Sequence, residues 1–183
     1  MRFVWLLVAL VLAAGCAREK SVEERARELA TALAKRIKGF NTNFPKPEMD
    51  PEGPPNPDLA AIARESAKIT SLKLEDIVVG SGRLASKGKT VYLRYRGELP
   101  DGFVFESNRK PSMQLLSFTV GDGTIVAGFD QGVTGMRVGG RRKVTIPAHM
   151  GYGANPRPGS RIPPNAALIF YLDLMFVTTP KEE

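Results

Sequence analysis

Two residue types that often build active centres are nearly missing from the 183-residue chain, which holds one cysteine, Cys16, and one histidine, His149. A lone cysteine excludes an intramolecular disulfide, and the pair is too few for a Cys/His zinc cluster, so no metal or cofactor is expected. The fold must hold itself by packing. A membrane-spanning run is missing too: the apolar stretch Phe3 to Ala14 has 12 residues, short of the roughly 18 to 20 that a helix needs. Acidic residues are in modest deficit, 19 against 26 basic ones, for a net charge of +7. The basic residues Lys87, Lys89, Arg94, Arg96, Arg141, Arg142 and Lys143 are scattered rather than gathered on one helix, and no strand interleaves them with aromatics as a nucleic-acid surface would. They read as a solvated basic surface, and nucleic acid is not an expected partner. With 43% hydrophobic and 25% charged residues, the composition fits neither a disordered nor a polytopic chain. The length suits one ordinary domain plus appendages.

What is present begins with an address. Arg2, the apolar run and Ala13-Ala14-Gly15 before Cys16 have the architecture of an export signal. Leu12-Ala13-Ala14-Gly15-Cys16 resembles the bacterial lipobox, in which the signal is cut before the cysteine and the thiol is acylated. This predicts a signal peptide over 1–15 and a lipid anchor on Cys16. Ala17, not Asp, follows the cysteine, which points to the outer membrane with the chain facing the periplasm. A secretory signal with an incidental cysteine, or a permanent span, are the alternatives.

Residues 16–57 read as a tether. Val22, Ala26, Leu29, Leu33 and Ile37 recur at helical spacing over Ser21 to Lys38, with Ser21 and Glu24 spaced as a capping box and Gly39 after the last turn. The stripe could pack against its own domain or pair two copies into a homodimer, and the sequence leaves both open. Pro45, Pro47, Pro51, Pro54, Pro55 and Pro57 then make an extended spacer. Residues 58–71 predict a short helical lead-in, Leu59 to Lys68, capped by Asp58.

From 72 to 178 the period changes to two. Leu72 to Val79 opens a strand-rich pattern. Thr90 to Gly97 sets Val91, Leu93 and Tyr95 on one face and Tyr92, Arg94 and Arg96 on the other. Pro100-Asp101-Gly102 turns into Phe103 to Glu106. Leu116 to Val120, Arg141 to Ile146 and Ala166 to Val177 repeat the alternation. Only Ile125 to Met136, with Val126, Phe129, Val133 and Met136 at steps of three and four, reads as helix. The prediction is an α+β domain, a curved antiparallel sheet wrapped around one short helix.

Residues 88–177 also resemble the FKBP family of peptidyl-prolyl isomerases. The stretches that carry the likeness are Val91 to Gly97, Asp101-Gly102 to Ser107, Phe118 to Gly121, Ile125 to Phe129, Gly132 to Gly140, Tyr152-Gly153, Ile162-Pro163-Pro164 and Leu168-Ile169-Phe170. Their order and spacing, rather than any single piece, make the likeness specific. It implies an apolar proline cup formed by Tyr95, Phe105, Phe129, Tyr152 and Phe170 with Ile125, Val126 and Ile162. In it Tyr152 would donate a hydrogen bond to one substrate carbonyl, the Ile125 backbone N–H would hold another, and Glu106 would sit at the rim. The substrates implied are proline-containing polypeptides, and rapamycin-type macrolides would compete for the cup. The chain departs from many members in having Glu106 where they have Asp, Phe129 where they have Trp, and a loop from Ala154 to Ile162 that is one residue longer and carries Arg157 and Arg161. A non-catalytic peptide- or partner-binding module is the competing reading.

Overall fold

The computed structural model describes residues 53–110 and 112–178. The export signal, Cys16, the Ser21–Lys38 helix and the spacer up to residue 52 lie outside the described residues. Along the described chain run α1 (Leu59–Lys68), β1 (Lys73–Val78), β2 (Thr90–Glu98), β3 (Val104–Ser107), β4 (Leu116–Thr119), α2 (Ala127–Val133), β5 (Arg141–Ile146), a 3-10 turn (Ala148–Met150) and β6 (Leu168–Thr178). No helix among them is long and apolar enough to cross a membrane.

The strands form one antiparallel sheet in the order β1-β5-β6-β2-β3, and β4 also pairs with β2. One edge of β2 is therefore shared: Thr90–Leu93 pairs with β4, and Arg96–Glu98 with β3. Buried Asn108 fills the gap between them. Its side-chain oxygen accepts the Tyr95 amide at 2.6 Å, and its amide nitrogen donates to the Leu93 and Gln114 carbonyls at 3.1 Å each.

Alternation sends Val91, Leu93, Val144, Ile146, Leu168, Phe170, Leu172 and Leu174 into the core. In β6 the alternation shifts once. Leu174 pairs with Leu93 and Phe176 with Tyr92, so Met175 is an extra residue, and past this bulge it is Val177 that turns inward. The helix is shorter than its apolar spacing suggests. Val126 is extended at ψ 139°, so α2 starts at Ala127, and Thr134, extended at ψ 131°, ends it, with Gly135 following at a left-handed φ of +81°. Two glycines bring α2 close to β5: a Cβ on Gly132 would lie 2.8 Å from the Val144 side chain, and one on Gly128 would run into Ile146. At α1, the Asp58 carboxylate accepts the amides of Ala60 and Ala61, and Ile62 enters the core.

The expectation of a solvated basic surface is corrected for three arginines. Arg96, Arg141 and Arg142 are only 5%, 6% and 8% exposed. Arg96 pairs with Glu98 at 2.9 Å and Arg141 with Asp173 at 2.6 Å, while Arg142 bridges Asp76 through two nitrogens and donates to the Gly132 and Thr134 carbonyls. Strand pairing supplies the reason: Asp76 lies directly opposite Arg142, and Asp173 opposite Arg141. Each long side chain meets a carboxylate before it reaches solvent.

Candidate active site

Five segments far apart in sequence deliver side chains to one end of the sheet's inner face. Tyr95 comes from β2, Phe105 and Glu106 from β3, Phe129 from the first turn of α2, Phe170 from β6, and Tyr152 from the loop after β5. Phe170 is the hub. Its ring centre lies 4.9 Å from that of Phe129, 5.6 Å from Phe105 and 6.1 Å from Tyr95, the first two edge to face. Tyr95 stands edge-on to Phe129 at 6.0 Å. Edge-to-face contacts suit ring quadrupoles and fix ring planes more firmly than aliphatic packing would. Phe129 and Ile162 are buried, Tyr95, Phe105, Ile125, Val126 and Tyr152 are half-buried, and Glu106 is exposed. The structure thus gathers the aromatic residues named from the sequence around an apolar floor, with Glu106 beside Tyr95.

Two polar arrangements frame the mouth. Burial pushes the Tyr95 hydroxyl well above its usual titration range, and the Glu106 carboxylate adds to this by its charge and by accepting the hydroxyl's hydrogen bond. Tyr95 therefore stays a neutral donor at physiological pH. The loop leading to Ile125 is tied at both ends. The Asp130 carboxylate accepts the Gly121 amide at 2.9 and 3.1 Å, and Asp122 accepts the amide and hydroxyl of Thr124 at 2.9 and 2.7 Å. Hydrogen bonds from Thr124 hold the Asp122 carboxyl below its usual range. The loop that carries Tyr152 is closed at its base, where the Asn165 amide donates to the Gly153 carbonyl at 2.7 Å. His149 is exposed on the 3-10 turn. Among the described residues no group of His, Cys, Asp or Glu could hold a metal ion.

Sequence reasoning missed two contributors to this site. A Cβ on Gly97 would lie 2.5 Å from Phe105 and 2.8 Å from Phe170, so this bare position on β2 is what lets both rings lean over the strand. Asn108 fixes the backbone at Tyr95 through bonds on either side of it, since its own amide also donates to the Tyr95 carbonyl at 3.0 Å. A glycine inside a strand was the available signal for the first. Nothing in the spacing marks the second.

Comparison with known proteins agrees with this geometry. The family model described as FKBP-type peptidyl-prolyl cis-trans isomerase matches residues 81–175. An FK506-binding protein of Neisseria meningitidis serogroup C is 45% identical over 107 residues, which cover 58% of this chain and 96% of that protein. FK506-binding protein 4 of Neurospora crassa is 43% identical over 135 residues, 70% of this chain, but the chain spans only 27% of that protein's length. The crystal structure of AtFKBP13 superposes with a TM-score of 0.52 at 33% identity, covering 58% of this chain and 93% of that one. A match over half the chain, on the strands and loops that assemble the aromatic cup, shows that the chain belongs to the FKBP-type peptidyl-prolyl cis-trans isomerase family.

Proposed function

We propose that the cup accelerates cis/trans isomerisation of X-Pro peptide bonds. The observation that carries this reading is the Phe170-centred cluster: four aromatic rings, Tyr95 among them, around one apolar floor, with the Tyr95 and Tyr152 hydroxyls and a carboxylate at its mouth. A proline ring fits such a floor, and the tyrosines face the polar amide that follows it out.

The reaction breaks no covalent bond. Amide resonance puts the rotation barrier near 18–20 kcal/mol, and uncatalysed exchange takes tens of seconds or longer. Twisting the C–N bond removes its double-bond character and the charge separation that goes with it. An apolar site that strips water from the planar, more polar amide therefore favours the twisted state relative to the planar one. Every 1.4 kcal/mol gained this way gives about tenfold in rate. In this scheme Phe129 and Phe170 grip the ring, and the Tyr152 hydroxyl and the Ile125 N–H hold the flanking carbonyls. Glu106 keeps Tyr95 oriented at the rim. No general acid or base is needed.

The clients are proposed to be exported polypeptides, on the strength of the signal-like run before Cys16. FK506- or rapamycin-type macrolides, suggested by the names of the relatives, are proposed to compete for the same cup. The test is isomerisation of a Leu-Pro peptide by the full chain beside Phe105→Ala and Tyr152→Phe variants of confirmed fold. Acceleration that falls roughly tenfold or more in the first variant, and about two- to tenfold in the second as one hydrogen bond is lost, is expected. A folded wild type that leaves the exchange rate unchanged sinks the reading.

A further inference from the structure

The loop after Tyr152 holds one cation at the mouth of the cup. Arg157 stands between Pro156 and Pro158. Each proline has a fixed φ, and a residue that precedes proline is confined to extended backbone, so Arg157 has little conformational freedom. Its carbonyl accepts the Ser160 amide at 3.0 Å, and Gly159 at the third position of that turn has φ +79°. Proline followed by a left-handed glycine is the type II turn pattern. The far end of the loop is also fixed: the Arg161 guanidinium lies 4.5 Å from the centre of the buried Phe103 ring.

Held this way, the exposed Arg157 places its guanidinium 5.8 Å from the centre of the Tyr152 ring. Its charge also reaches the Tyr95 hydroxyl, where it opposes that of Glu106. The mouth is therefore two-signed. A cation lies on the loop side and an anion on the β3 side, both beside tyrosines that frame the apolar floor. The floor itself is indifferent to charge, so any charge preference must be read at this rim.

We propose that Arg157 is a specificity-determining residue that recruits an acidic side chain lying within two residues of the substrate proline, on the flank that crosses the 154–162 loop. The opposite flank passes Glu106, where an acid gains nothing. The proposal rests on the isomerase reading and deepens it by naming a substrate class. An exposed ion pair of this kind is worth about two- to fivefold in affinity at low salt, and it is screened as salt rises.

The test uses the full chain and three Leu-Pro peptides of equal length: one neutral, one with Asp on the N-terminal flank and one with Asp on the C-terminal flank. Binding and kcat/KM are measured for each. One Asp peptide should exceed the neutral one by about two- to fivefold in both readouts. That gain should disappear in Arg157→Gln, survive in part in Arg157→Lys, and vanish at about 1 M salt, where the screening length is about 3 Å. Equal behaviour of all three peptides, or a gain that persists in Arg157→Gln, overturns the proposal. If the peptides bind without being turned over, the isomerase reading fails while the binding ratio still decides the role of Arg157. If none binds, both fail.

Discussion

The two faces of the same sheet are built by different physics. On the inner face, alternate positions of β2 and β6, with Val144 and Ile146 of β5, are apolar, aromatic or bare, and Arg142 is the one charge among them, donating to the Gly132 and Thr134 carbonyls: Gly97 on β2 yields its space to Phe105 and Phe170, and Gly132 on α2 lets the helix settle on Val144. On the outer face, one residue along, Arg96 pairs with Glu98, and Asp173 takes Arg141 at 2.6 Å and Arg109 at 3.3 Å. Space organises one side and charge the other. A shape-selective cup needs an unoccupied volume with fixed walls, and the paired charges on the outer face hold the strands in register without competing for that volume.

Damage to the outer face should cost stability and spare the cup. The largest effect is expected from Asp173→Ala, which takes from Arg141 and Arg109 the carboxylate they share. Leaving buried cations without it should destabilise the fold by about 3 kcal/mol, read as a lowered urea midpoint, while the fraction still folded keeps the wild-type affinity for a proline peptide. Damage to the inner face should cost the cup as well as stability. Gly97→Ala drives a methyl group into Phe105 and Phe170. It should cost about 1–3 kcal/mol as overpacking and remove most of the peptide affinity, which an isothermal titration on the folded variant would detect. If Gly97→Ala binds peptide normally, the cup is not where the glycine acts.

A smaller loss is expected from Gly128→Ala, which collides with Ile146 across the α2–β5 contact. Overpacking of about 1–3 kcal/mol, reduced by the roughly 1 kcal/mol that alanine gains over glycine in a helix, leaves a net loss of about 0–2 kcal/mol. The smallest effect concerns pH. The Tyr95 hydroxyl titrates above its usual 10.0 in the folded state. Its contribution is therefore complete below pH 10 and is lost as pH rises from there toward the folded value. Stability measured from pH 9 to 11 should decline more steeply in the wild type than in Tyr95→Phe, and equal slopes would mean that the hydroxyl is not held as described.

Much of the inner face was legible in the sequence. Val91, Leu93 and Tyr95, and Leu168 to Leu174, alternate because one face of each strand is buried, and period two survives in the residue types. The outer face was not legible. Alternation assigns Arg96 and Arg141 to the side away from the core, but their burial depends on carboxylates that strand pairing brings near, and Asp173 is 32 positions from Arg141. The bulge at Met175 was hidden for a similar reason, since it exists only relative to β2. Within the site, the aromatics were identifiable from the ordered motifs. Gly97 and Asn108 were not singled out, because one acts by having no side chain and the other by bonding backbone groups on a neighbouring strand.

The most direct test of the contrast is to titrate a Leu-Pro peptide into the isotope-labelled full chain and follow its amide and side-chain signals by NMR. Perturbation is expected at Tyr95, Phe105, Ile125, Tyr152, Ile162 and Phe170, with the signals of Arg96, Arg109, Arg141 and Asp173 unmoved. Perturbation centred on the outer-face residues, with the aromatic cup unchanged, would contradict it.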